Sequence, residues 1–130
     1  MEEIDVKLRF GRTFKGELIA KRVSVPIGRE EGDLAPYDMM LGALGACYYA
    51  TFVGIADKMR LVYEQVTIDI HGVKRDEVPT TLKEVRMVLT ILGAPEEKGF
   101  ARAAELAAKH CSVHETISKV AQMDLKLKFT

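Results

Sequence analysis

Cysteine is scarce in this chain: Cys47 and Cys111 are the two among 130 residues. That is far below the density of a secreted scaffold held together by disulfides. Net charge is missing as well, because 19 basic and 19 acidic side chains cancel. A nucleic-acid binder held by a basic surface is therefore disfavoured. The opening residues, Met1-Glu2-Glu3, lack the basic region and apolar run of a secretory signal. The expectation is a cytoplasmic protein whose two thiols are free. Internal repeats and low-complexity tracts are absent too. What remains is 48% hydrophobic and 29% charged, a composition that folds rather than stays disordered. The length reads as one domain, residues 1–130. Such a domain buries about two-thirds of the surface its unfolded chain exposes.

Met39 to Ala56 is an uncharged run, at the lower length limit for a membrane span. Its glycines, its threonine and its tyrosines make it only moderately apolar. It reads as the buried central helix of a soluble fold, with no membrane partner. Pro36 opens this helix, Asp38 complements its dipole, and it runs to about Met59. Before it, Ile4, Val6, Leu8 and Phe10 alternate with charged residues, which predicts a strand. A second strand is expected over 17–25, then a loop from Pro26 to Ala35. Further strands are expected around Val66–Ile70, around Val85–Ile91 and over Met123–Phe129, all with period two. Gly93-Ala94-Pro95 signals a second helix with Glu96 and Glu97 in its first turn. Ser112-Val113-His114-Glu115 has capping-box spacing and predicts a short third helix from Ser112 to about Lys119. The order β-β-α-β-β-α-α-β is an α+β pattern. Strands apolar on one face suggest sheets wrapped around the Cys47 helix. A homodimer is the economical way to cover that helix.

The two cysteines sit in different settings. Around Cys47 the helix offers Ala43, Leu44, Ala50 and Thr51. Burial alone predicts a raised pKa there. Cys111 precedes a helix start, whose positive end favours a thiolate, so it reads as the more acidic thiol. The two form a redox pair if the fold brings their Cα atoms within about 4.4–6.8 Å. Against this stands the fact that free cysteine is usually a small buried hydrophobe. His110, Cys111 and His114 also lie close in sequence. His110 reads as a cation at a helix C-terminus and His114 as a surface residue, with no metal expected.

Pro36-Tyr37-Asp38-Met39-Met40-Leu41-Gly42-Ala43-Leu44-Gly45-Ala46-Cys47 resembles the first motif of the OsmC/Ohr family, the osmotically inducible and organic hydroperoxide resistance proteins. Cys111-Ser112-Val113-His114-Glu115-Thr116-Ile117 resembles its second, a Cys-Pro-Val-x-x-Thr-Leu run. The element order matches along nearly the whole chain. The resemblance implies an α+β fold of antiparallel sheets around a long Cys-bearing helix, in an intertwined homodimer. It implies a thiol-dependent peroxidase acting on organic or lipid hydroperoxides, with no metal, haem or flavin. In that chemistry Cys47 becomes a sulfenic acid and Cys111 condenses with it to a disulfide. A dithiol, lipoyl or thioredoxin-like, then reduces the pair. An arginine would stabilise the thiolate and the departing oxygen. The candidates are Arg12, after the first strand's glycine, and Arg29, in the loop before the first motif. Two positions depart from the pattern. Tyr37 stands where the family has a carboxylate, with Asp38 one place later, about 100° round the helix. Ser112 replaces the usual proline. The other reading of the same fold is a non-enzymatic protein that senses redox state or binds a small apolar ligand.

Overall fold

The alternating residues at the start of the chain fold back on themselves twice. The computed structural model describes residues 1–130. In it β1 (Lys7–Phe10), β2 (Gly16–Ile19) and β3 (Ser24–Ile27) form an antiparallel sheet in that order. The single strand expected over 17–25 is thus two strands. Ala20 donates its N–H to the Val23 carbonyl at 2.8 Å, closing a turn over Lys21 and Arg22. Leu18 then faces Leu8 on one side and Val25 on the other. Gly16 is required where β2 begins, since a Cβ there would run into the Arg9 carbonyl and the Phe10 ring. The following loop is fastened by Lys15, whose Nζ donates to both Asp33 oxygens at 2.9 and 2.8 Å. Asp33 also accepts the Glu30 N–H at 3.2 Å.

Helix α1 spans Pro36–Lys58. Its start matches the expectation, and Asp38 has a local task. Its Oδ2 accepts the Ala35 N–H at 3.0 Å, the reach-back of an acid in the first turn to the capping residue. The chain divides into two compact units, Met1–Gly42 and Ala43–Thr130, and α1 runs through the division.

In the second unit β4 (Gln65–Lys74), β5 (Leu82–Leu92) and β6 (Gln122–Phe129) form the other sheet, in that order. β4 and β5 are an antiparallel hairpin, whereas β5 and β6 run parallel. This sheet is therefore mixed and not antiparallel throughout. A parallel neighbour needs a long crossover, and α2 (Phe100–His110) and α3 (Ser112–Ser118) supply it. Period-two apolar residues meet in register across the sheet. Ile70, Met87 and Leu125 form one row; Ile68, Leu89 and Leu127 form the next.

The helix expected at Pro95 begins later. Gly99 adopts a left-handed φ of 91° and precedes the first helical residue, Phe100, which is fully buried. Glu96 and Glu97 thus lie in the turn ahead of α2. Burial of Phe100, Ala103, Ala104 and Ala107 sets the helix where it is, and that tertiary gain overrides the proline signal.

α1 is long and apolar enough to cross a membrane by length and composition. One stripe of it, Leu44, Tyr48, Phe52 and Ala56, is buried in the fold. The expected burial all round is not seen in the single chain, because Ala43, Ala46, Ala50 and Gly54 are exposed. The Phe52 ring lies 6.0–6.3 Å from the rings of Tyr48, Tyr49 and Tyr63. Tyr63 continues the series to Phe100, and Phe100 to Phe129. Replacing Phe52 with Ala is expected to cost about 3–5 kcal/mol, the usual range for emptying a buried aromatic site. Urea unfolding checks this, and a loss under about 1 kcal/mol would put the ring outside the cooperative core.

Candidate functional site

Cys111 lies at the joint between two helices. Its backbone N–H bonds the Ala107 carbonyl at 2.9 Å and ends α2, while its carbonyl accepts the Glu115 N–H at 3.0 Å and starts α3. Its φ of −76° and ψ of 116° are extended, which turns the chain between them. Its sulfur accepts the His114 N–H at 3.4 Å. Cysteine, not Ser112, is therefore the cap of α3, and Ser112 is the first residue inside the helix. The capping-box spacing marked the helix start correctly to within one residue, but a thiol performs the capping.

This joint brings the start of α3 to the middle of α1. The Cys111 thiol donates to the Cys47 sulfur across 3.2 Å. Ser112 Oγ lies 3.8 Å from the same sulfur. Both cysteines are free, Cys47 half-buried and Cys111 fully buried. Thr51 Oγ1 donates to the Cys47 carbonyl at 3.0 Å. Tyr48, one residue along and fully buried, donates its hydroxyl to the Ala104 carbonyl at 2.8 Å and so pins α1 to α2. Burial pushes the Tyr48 phenol well up, and charge on Cys111 adds to this. Tyr48 is a packing residue here.

The acidities follow from those neighbours. Cys47 is lowered from the ordinary thiol value. The chief cause is the Val113 backbone N–H, followed by the Cys111 thiol, with partial burial opposing and the Ser112 hydroxyl and N–H helping. Cys111 is raised, mainly by burial and further by the charge on Cys47 beside it. The structure reverses the order expected from each cysteine's own surroundings. Cys47 receives its donors from residues 64 to 66 positions further along the chain, which local spacing does not reveal. Cys111 shares the same helix end, but it is enclosed, and desolvation of a charge outweighs the hydrogen bond from His114. The causes that lower Cys47 are N–H, O–H and S–H donors of residues 111–113, none of them a cation.

The other sequence candidates have their own settings. Arg29 places its guanidinium 5.3 Å from the centroid of the Phe14 ring, a cation–π arrangement. Arg12 lies exposed in the turn between β1 and β2. Both belong to the first compact unit. His114 is half-buried rather than on the surface, and burial lowers its pKa. No three His, Cys, Asp or Glu side chains converge as a metal-holding group. The Ser112 and Val113 donors are site features that the sequence reading missed. The signal was present in Ser112 itself, a residue with a free N–H where the resembled motif has proline.

Comparison with known proteins gives a consistent picture. A family model described as OsmC-like protein matches residues 29–126. No curated protein matches the sequence. Solved structures do. A hypothetical protein from Aquifex aeolicus superimposes with a TM-score of 0.90 at 22% identity, covering 100% of this chain and 98% of that one. An OsmC-like protein from Mycoplasma pneumoniae gives 0.88 at 15% identity, covering 99% and 98%. The organic hydroperoxide resistance protein OhrB of Bacillus subtilis gives 0.68 at 16% identity, covering 98% of each chain. At these identities the likeness is one of fold.

The acidity order has a direct readout. A lowered pKa keeps Cys47 as thiolate to lower pH than a free cysteine, so its alkylation rate falls off at lower pH than that of a free cysteine. Iodoacetamide at neutral pH is expected to add once, at Cys47, with Cys111 labelled only after unfolding. Peptide mass mapping checks it; first labelling at Cys111 would overturn the assignment.

Proposed function

The chain belongs to the OsmC-like protein family, and we propose that it is a thiol-dependent peroxidase reducing organic or lipid hydroperoxides through Cys47 and Cys111. The observation that carries this reading is the 3.2 Å approach of the two sulfurs, one lowered in pKa and accessible, the other raised and buried. The Cys47 thiolate attacks the terminal oxygen of R–O–OH. An S–O bond forms, the O–O bond breaks, and the alkoxide takes a proton from water and leaves as R–OH. The product is Cys47 sulfenic acid. Cys111, already in contact, attacks that sulfur, and hydroxide leaves as water with the thiol's proton. A dithiol, lipoyl or thioredoxin-like, then reduces the disulfide by exchange and is itself oxidised to a disulfide. The buried Cys111 needs no large approach to react, which is the advantage of a preset pair.

Arg12 and Arg29 are the candidates for a cation that stabilises the leaving oxygen. Asp38 is not an automatic substitute for the family's carboxylate at position 37, since it lies one place further round the helix and one of its oxygens accepts the Ala35 N–H. The working unit in this reading is a homodimer in the cytoplasm. Support for the dimer comes from the apolar residues left exposed on the single chain, among them Ile4, Val6, Leu8 and Phe10, a surface that a partner copy could cover. A second reading, a redox sensor on the same pair, draws on the fact that the donors to Cys47 are neutral. It differs in turnover: a sensor oxidises once per chain, whereas a peroxidase consumes many equivalents when a dithiol is supplied.

Cumene hydroperoxide with excess dithiol tests the proposal. The wild-type protein is expected to turn over many equivalents and, without dithiol, to lose two thiols per chain to a Cys47–Cys111 disulfide. Cys47→Ser is expected to fall to the uncatalysed rate, and a wild-type rate in that variant refutes the mechanism. Cys111→Ser stops at the sulfenic acid, which a sulfenate-specific trap captures. Of Arg12→Ala and Arg29→Ala, the one removing the active cation slows Cys47 oxidation about 10²-fold, the scale of a lost charge-stabilising donor. If neither slows it, no arginine of these two takes part.

A further inference from the structure

Ser112 has features that its place in α3 does not explain. It is the first helical residue, exposed, and its hydroxyl plays no part in capping, because the Cys111 sulfur takes the His114 N–H. The hydroxyl's one partner is Cys47 Sγ, at 3.8 Å. Its backbone N–H belongs to the first turn, where no carbonyl of the helix can accept it, and it acts on the same sulfur. Proline is well suited to this position, since its fixed φ fits the helix and its missing N–H is not needed there. A proline would bring the Cys47 sulfur neither donor. Serine brings both.

We infer that Ser112 is a catalytic residue whose hydroxyl binds the Cys47 sulfur, a task the helix itself does not require. The hydroxyl is neutral, short-armed and carried by the residue next to Cys111, at the same joint. The geometry stands for the resting thiol whatever its substrate. One part rests on the peroxidase reading. As charge passes from sulfur to the alkoxide when the O–O bond breaks, the Ser112 hydroxyl can redirect its hydrogen bond to the departing oxygen without giving up its proton.

The test separates the two parts. Ser112→Thr keeps both donors, Ser112→Ala keeps only the N–H, and Ser112→Pro removes both while suiting the helix start. The pH profile of Cys47 alkylation, followed by mass mapping, needs no hydroperoxide. A hydrogen bond to an anion shifts its acid equilibrium by about tenfold. The higher intrinsic nucleophilicity of a less acidic thiol takes back about threefold of this. The acid limb of the profile is thus expected to drop about threefold for Ser112→Ala and further for Ser112→Pro, with Ser112→Thr near wild type. Unchanged profiles for both Ser112→Ala and Ser112→Pro overturn the inference, as does a drop in Ser112→Thr equal to that in Ser112→Ala. Displaced profiles without hydroperoxide turnover in any form uphold Ser112 and refute the peroxidase. Turnover with profiles that do not move refutes Ser112 and leaves the peroxidase standing.

Discussion

The site depends on the threefold use of Cys111. This one residue ends α2 with its N–H, begins α3 with its carbonyl, and caps α3 with its sulfur. Because the chain turns there in an extended conformation, the unpaired donors of the α3 start meet Cys47 at mid-α1. The polarity of the pair follows without any further group. The sulfur that receives donors from outside its own helix is the more acidic of the two, and the sulfur enclosed by the fold is the less acidic. An enclosed thiol can act as a hydrogen-bond donor to its more acidic neighbour, and Cys111 does so at 3.2 Å.

The scaffold around the pair explains how such a contact is held. The parallel pairing of β5 and β6 forces a crossover, and α2 with α3 is that crossover. The joint between the two helices is therefore tied at both ends to a sheet whose apolar rows are in register. Tyr48 adds a direct bond from α1 to the α2 backbone, and the aromatic series from Tyr48 through Phe52, Tyr63 and Phe100 fills the space behind it.

Much of this was legible from residue order. The strands with strict period two, β6 above all, and the long helix from Pro36 were readable because one chemical signal governs each. The turn at Lys21-Arg22 was not, since neither glycine nor proline marks it. The start of α2 was misread at Pro95, because a local proline signal competed with the burial of Phe100. The cysteine motifs were visible, and so was their pairing by resemblance. Their acidities were not, because the deciding donors on Ser112 and Val113 reach Cys47 only through the fold. The parallel strand pair was hidden for the same reason: a period-two strand reads alike in either direction.

The unequal exposure of the two sulfurs has a consequence for wear. A second oxidant molecule can reach only the half-open Cys47, since Cys111 has no exposed surface. In the proposed peroxidase, irreversible climbing to sulfinic and sulfonic acids would thus be confined to one atom. The buried partner stands within contact distance and can close the disulfide first. In that reading the spacing that links the two thiols would also act as a guard, because it would set how long the sulfenic acid survives unprotected.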